Sequence, residues 1–154
     1  MYVFDTNSFI ELFGRYPKDC FPSLWNKFEA LIQEKRLFSI EMVRQEILTD
    51  KPLFSDWLES HKELFLEPTT DEATFVGKIF QIKSFQNLVK PQIQLKGGFS
   101  ADPFIIARAN SLKATVVSQE KNAPKGTKIP NVCEHFGIKC IKFLDFLRTE
   151  KWQF

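Results

Sequence analysis

The feature of this 154-residue sequence that most constrains its fold is a regular alternation of short, β-prone apolar runs with segments of helical periodicity. Tyr2-Val3-Phe4 is apolar and ends in Asp5-Thr6-Asn7, residue types that form a turn and cap a following helix. Leu24, Phe28, Leu31 and Ile32 recur at i, i+4, i+7 and i+8, which predicts a helix from about Pro22 to Lys35. Leu37–Ile40 reads as a second strand. It precedes a short helix in which Val43 and Ile47 pair at i, i+4 and Glu46 leans toward the same side. A helix around Leu53 to His61 leads to a third strand at Leu64–Leu66, and Thr69 with Glu72 has capping-box spacing ahead of Phe75, Ile79 and Ile82.

The pattern continues to the end of the chain. Gly97-Gly98 and the Ala123 to Gly126 turn region are the flexible punctuation, and no internal repeat appears. Asp102-Pro103 opens a helix carrying Ile105, Ala109 and Leu112, with proline tolerated at the first helical position. Ala114–Val117 is a fourth strand left through Ser118-Gln119-Glu120, Pro130 starts a short helix, Ile138–Ile141 is a fifth strand, and a terminal helix ends near Glu150. This rhythm predicts a single α/β domain over residues 1–154, with a mostly parallel five-stranded sheet and helices on both faces. Such sheets bind ligands beyond the carboxyl ends of their strands, so the polar residues there are the candidates for function.

Composition narrows the class. With 44% hydrophobic and 26% charged residues, the chain is neither disordered nor fibrous, and its 17 phenylalanines are the material of a core rather than of a site. No apolar run approaches the roughly 20 residues of a membrane span, and Asp5 stands where a signal peptide would be apolar, so a cytoplasmic protein is expected. Cys20, Cys133 and Cys140 are odd in number, which favours reduced thiols. A zinc site from Cys133, His135 and Cys140 would lack a fourth ligand and the usual spacing. Through Asp102 there are 12 Lys and Arg against 15 Asp and Glu, and from Pro103 onward 9 against 4. The basic tilt permits a phosphate-bearing partner, with Arg108, Lys113, Lys121, Lys125 and Lys128 available to a phosphodiester chain; a solvated basic face is the alternative.

Four carboxylates fall at one edge of the expected sheet. Asp5 follows the first strand and Glu120 the fourth, while Glu46 and Asp102 lie on helices entered from the same edge. Each alone reads equally as a cap or turn residue. Together they would repel one another unless a cation neutralised them, and oxygen ligands without histidine or thiolate select Mg²⁺ or Mn²⁺.

Tyr2-Val3-Phe4-Asp5-Thr6-Asn7, Val43-x-x-Glu46, Ala101-Asp102, Val116-Val117-Ser118-Gln119-Glu120 and Ile129-Pro130-Asn131-Val132-Cys133, taken in order, resemble a PIN domain, and among PIN domains the bacterial VapC-like proteins. The resemblance implies a metal-dependent ribonuclease that cleaves single-stranded RNA to products with a 5′ phosphate, on a sheet that sets strands one and four side by side. It carries Asp5, Glu46, Asp102 and Glu120 into the acidic positions, binding Mg²⁺ or Mn²⁺, with Asn7 and Ser118 as supporting polar residues. Glu120 departs from the pattern, which usually has aspartate there. A VapC-like protein further implies a small antitoxin partner, a toxin–antitoxin role and a homodimer. A PIN-like scaffold that binds RNA or protein without cleaving is the competing expectation. A HAD-type phosphatase is disfavoured because Asn7 stands where its second aspartate belongs.

Overall fold

The structure, a computed structural model, describes residues 1–88 and 100–154. The Gly97-Gly98 pair lies outside the described residues. Five short strands, β1 (Tyr2–Phe4), β2 (Leu37–Ile40), β3 (Phe65–Leu66), β4 (Thr115–Val117) and β5 (Cys140–Ile141), form one sheet in the order β3-β2-β1-β4-β5. Every pairing is parallel, with Phe4 opposite Val117 and Val3 opposite Phe38. The chain runs from β1 outward through β2 and β3, then restarts on the other side with β4 and β5. The topological switch point, where such sheets open a crevice, therefore lies between β1 and β4.

Helices flank this sheet. Those of the first half are α1 (Thr6–Arg15), α2 (Pro22–Gln33), α3 (Glu41–Asp50), α4 (Ser55–Ser60) and α5 (Thr70–Gln81). After the segment outside the description come α6 (Ala101–Leu112), α7 (Ile129–His135) and α8 (Phe143–Thr149). The expected boundaries shift by a few residues, each for a local reason. Helix α2 stops at Gln33 because Lys35 turns to φ 53° and the Arg36 N–H returns to the Leu31 carbonyl at 2.9 Å. Helix α6 begins at Ala101, so Pro103 occupies its third position; its missing N–H still falls among the four that have no helical partner. Ala114 follows α6 and closes its end by donating to Ala109 O at 2.9 Å, so β4 starts one residue later than expected. At the exit of α7, Gly137 takes φ 67° and the Ile138 N–H closes on Cys133 O at 2.8 Å, which leaves only Cys140 and Ile141 for β5. The capping box of Thr69 and Glu72 forms as expected.

Phenylalanine rings fill the layer between sheet and helices. Phe4, in the central strand, meets Phe28, Phe146 and Phe143 edge-on at centroid distances of 5.5, 5.1 and 6.1 Å. Phe13 stacks on Phe54 at 4.1 Å and abuts Trp57, tying α1 to the α4 region. One charged pair is buried with them. Arg108 of α6 is 3% exposed and Glu72 of α5 2%; the guanidinium binds both Glu72 oxygens and donates from Nη2 to Glu67 O at 2.8 Å. Arg108 is thus a clamp between α5, α6 and the end of β3, and the expectation that it serves a phosphodiester chain is overturned. Cys133 is buried, and its thiol is pushed well above the ordinary range by its hydrogen bond with Cys140 and by burial. No helix among the described residues is long and apolar enough to cross a membrane.

Candidate active site at the switch point

The parallel register of β1 and β4 decides what meets at the carboxyl edge. Because Phe4 faces Val117, the next residues of the two strands, Asp5 and Ser118, emerge side by side, and Ser118 Oγ donates to Asp5 Oδ2 at 2.7 Å. Asp5 is also the N-cap of α1: its Oδ1 accepts the Ser8 N–H at 2.7 Å. Ser8 Oγ in turn donates to Val117 O at 2.7 Å, and the Asp5 N–H reaches the same carbonyl at 3.2 Å. These bonds lace the start of α1 to the end of β4.

Asp5 is 2% exposed. Burial pushes its carboxyl from an ordinary 3.8 up to about 6, against the opposing hydrogen bonds from Ser118 and Ser8. The negative charge of Glu120 adds to the rise, so Glu120 acts within electrostatic range of Asp5. Glu120 itself is half-buried and anchored: its N–H donates to Ser118 Oγ at 3.2 Å, and its Oε2 accepts the Ile129 N–H at 2.9 Å. Glu46, on the second turn of α3, joins through Thr6, whose hydroxyl donates to its Oε2. Asp102 sits half-buried in the first turn of α6, a helix that packs against both β1 and β4. Asn7 is exposed on α1.

The structure thus groups Asp5, Ser118 and Glu120 directly and brings Glu46 in through Thr6. Among the described residues no three of His, Cys, Asp and Glu stand together as a metal-ligating group. Separate hydrogen bonds hold the carboxylates apart: Asp5 leans on Ser8 and Ser118, Glu46 on Thr6, and Glu120 on the α7 backbone, which spreads charges that would otherwise repel. Three participants are not among the candidate site residues of the sequence. Ser8 stands three residues after Asp5, the spacing of a cap and its N3 residue, which was a usable signal. Thr6 carried none. Gln119, between Ser118 and Glu120, buries its Nε2 with no hydrogen-bond partner, a property that only the fold reveals.

Residues 2–154 match the family described as "Domain of unknown function (DUF4411)". The chain belongs to the DUF4411 family. Curated protein sequences give no match to this DUF4411 chain. Among solved structures it is similar to a chain of VapBC2 from Rickettsia felis, a complex bound to a DNA fragment from its promoter. That similarity has a TM-score of 0.51 at 15% identity and covers 92% of this chain and 97% of the other. At that identity the likeness concerns the fold alone: a PIN-like, VapC-like α/β sheet with its strands in parallel.

Proposed function

We propose that this DUF4411 protein is a Mg²⁺- or Mn²⁺-dependent endoribonuclease of single-stranded RNA, acting as the toxin of a toxin–antitoxin pair. The observation that carries the reading is the buried, hydrogen-bonded Asp5 at the β1–β4 switch point, close enough to Glu120 for their charges to oppose. Strained electrostatics of this kind gather where a site is built for a ligand. The donor set suits a hard divalent cation. It is all oxygen, the Glu120 charge is felt at Asp5, and each Asp5 oxygen that accepts one hydrogen bond retains a further lone pair.

Asp5, Glu46, Asp102 and Glu120 would hold the cation, directly or through water. When bound, such an ion lowers the pKa of a coordinated water and offsets charge on phosphorus. The chain's own part is positional. Ser118 fixes Asp5 Oδ2 through its hydroxyl hydrogen, Ser8 fixes Oδ1, and the Ile129 N–H holds Glu120 Oε2. No serine, cysteine or histidine nucleophile is required. A protein partner is supported by the similar structure being a two-component complex, VapBC2. The antitoxin, the homodimer and the cytoplasmic setting remain part of this proposal.

The test is incubation of purified protein with structured and unstructured RNAs in Mn²⁺, in Mg²⁺ and in excess EDTA. Cleavage of the unstructured RNA is expected with either metal and none in EDTA. Undiminished cleavage in chelator refutes the metal-dependent reading, and RNA binding without hydrolysis under any metal favours the non-cleaving scaffold.

A further inference from the structure

Between Glu120 and the start of α7 the chain makes a loop whose shape is held from one side chain. Asn131 Nδ2 donates to Asn122 Oδ1 at 2.5 Å and to Ala123 O at 2.7 Å, while its Oδ1 accepts the Lys128 N–H at 3.4 Å. Asn122 is held further by Glu134, to which its Nδ2 donates at 2.8 Å. Gly126 closes the turn onto Ala123 O at 2.8 Å, and a Cβ there would lie 2.5 Å from Asn131 Oδ1 and 2.9 Å from the Ala123 carbonyl. The loop is therefore closed around the Asn131 amide.

The loop's own charged residues are of one sign. Lys121, Lys125 and Lys128 are all exposed and no Asp or Glu occurs from Lys121 to Lys128; the neighbouring acid on α7, Glu134, is exposed too and is engaged by Asn122. A recess of about 410 Å³, lined by Asn122, Ala123, Pro124, Lys125, Asn131 and Glu134, lies in it, a volume within the range of ligand sites. The loop is joined to the candidate active site without slack: it leaves from Glu120 and returns at Ile129, and those two residues are hydrogen-bonded at 2.9 Å.

We propose that this loop is the grip for the backbone of single-stranded RNA, that Lys121, Lys125 and Lys128 contact its phosphates, and that Asn131 is the positioning residue that sets their spacing. This rests on the reading of the site as a ribonuclease. Lysines on a free loop would give up ordering entropy on binding RNA, and a loop already closed on Asn131 gives up less. The consequence is specific: Asn131 matters to RNA only through the lysines it holds.

The experiment measures binding of a short fluorescein-labelled single-stranded RNA by anisotropy, in EDTA so that cleavage does not intervene, over a series of salt concentrations. Replacing the three lysines with glutamine is expected to weaken binding and lower the salt slope by about 2, at about 0.7 per phosphate contact on a single strand. Asn131→Ala is expected to weaken binding by about three- to tenfold in the wild-type background and to have no further effect in the triple-glutamine background. Gly126→Ala, which forces the loop off Asn131, should act in the same way and serves where Asn131→Ala folds poorly. An equal loss in both backgrounds, RNA binding that ignores the lysines, or a wild type that binds no RNA each overturns the assignment. Cleavage assays on the same proteins separate the two readings. Binding with the expected cycle but no metal-dependent cleavage removes only the nuclease; cleavage with unchanged binding in the loop variants removes only the grip.

Discussion

Replacing Asp5 with asparagine should stabilise the metal-free protein, and the gain should depend on pH. The unfolded chain releases the Asp5 proton near its ordinary value of 3.8, whereas the folded chain holds it until about 6. Between those values the native state binds more protons than the unfolded one, so stability falls as pH rises, and above pH 6 the full cost of ionising a buried carboxyl is present. A difference of this size corresponds to about 3 kcal/mol. Asparagine avoids the charge, still offers an oxygen to the Ser8 N–H, and caps helices about as well as aspartate. For a chain of this length each kcal/mol moves the melting temperature by about 2–4 °C, so at pH 7.5 in EDTA Asp5→Asn should melt higher by up to about 10 °C.

Differential scanning fluorimetry from pH 4 to 8 tests the whole argument. The gap between variant and wild type should be widest above pH 6 and close toward pH 4. Adding Mn²⁺ should reverse the order, because wild type gains stability by mass action and the variant loses most of that increment. A gap that does not change with pH would refute the burial argument, and a variant that responds to Mn²⁺ as wild type does would remove Asp5 from the metal site.

Three further outcomes are expected. Glu120→Gln should cost less RNA cleavage than Asp102→Asn, since glutamine keeps an oxygen for the Ile129 N–H and the Glu120 carboxylate is already committed to that backbone; equal losses would make Glu120 a direct ligand. Gln119→Met removes a buried donor that has no partner and should raise the melting temperature, by about 1 kcal/mol in stability, whereas a lower value in thermal melts would mean that the amide is satisfied. Arg108→Met strands the Glu72 carboxylate in the core and should lower the urea-unfolding free energy by about 3–5 kcal/mol, with an unchanged midpoint contradicting the buried clamp.

The sheet was readable from sequence because each strand announces itself by local means: β-prone triplets, flanking turn residues and helical stripes of the right period. The positions of Asp5, Ser118 and Glu120 followed from the same signal, being the first polar residues after β1 and β4. Arg108 shows where such reading stops. Its charge counted toward a basic face, yet it lies seven residues on from the start of a helix whose Ala101, Ile105 and Ala109 are also buried, and the Glu72 carboxylate, 36 positions away, together with the Glu67 carbonyl makes that burial tolerable. Charge is a property of the residue, whereas exposure belongs to the pair. Gln119 is the same lesson in reverse, a polar residue whose missing partner is a fact of tertiary structure alone.

Asp5 also dissolves an opposition that the sequence posed. A carboxylate after a strand reads as either the cap of the next helix or a member of an acidic site, and in the structure the two Asp5 oxygens have different partners. Oδ1 satisfies the first turn of α1 through Ser8, and Oδ2 turns to Ser118 on the neighbouring strand. The cap fixes the side chain rotationally, which is what holds Oδ2 at the switch point, while burial beneath that turn is what raises the carboxyl to about 6. Helix capping opposes that rise, because the Ser8 N–H favours the ionised carboxyl, and burial outweighs it. A substitution that keeps the cap and removes the charge, as asparagine does, can for that reason separate the stability of the fold from the chemistry of the site.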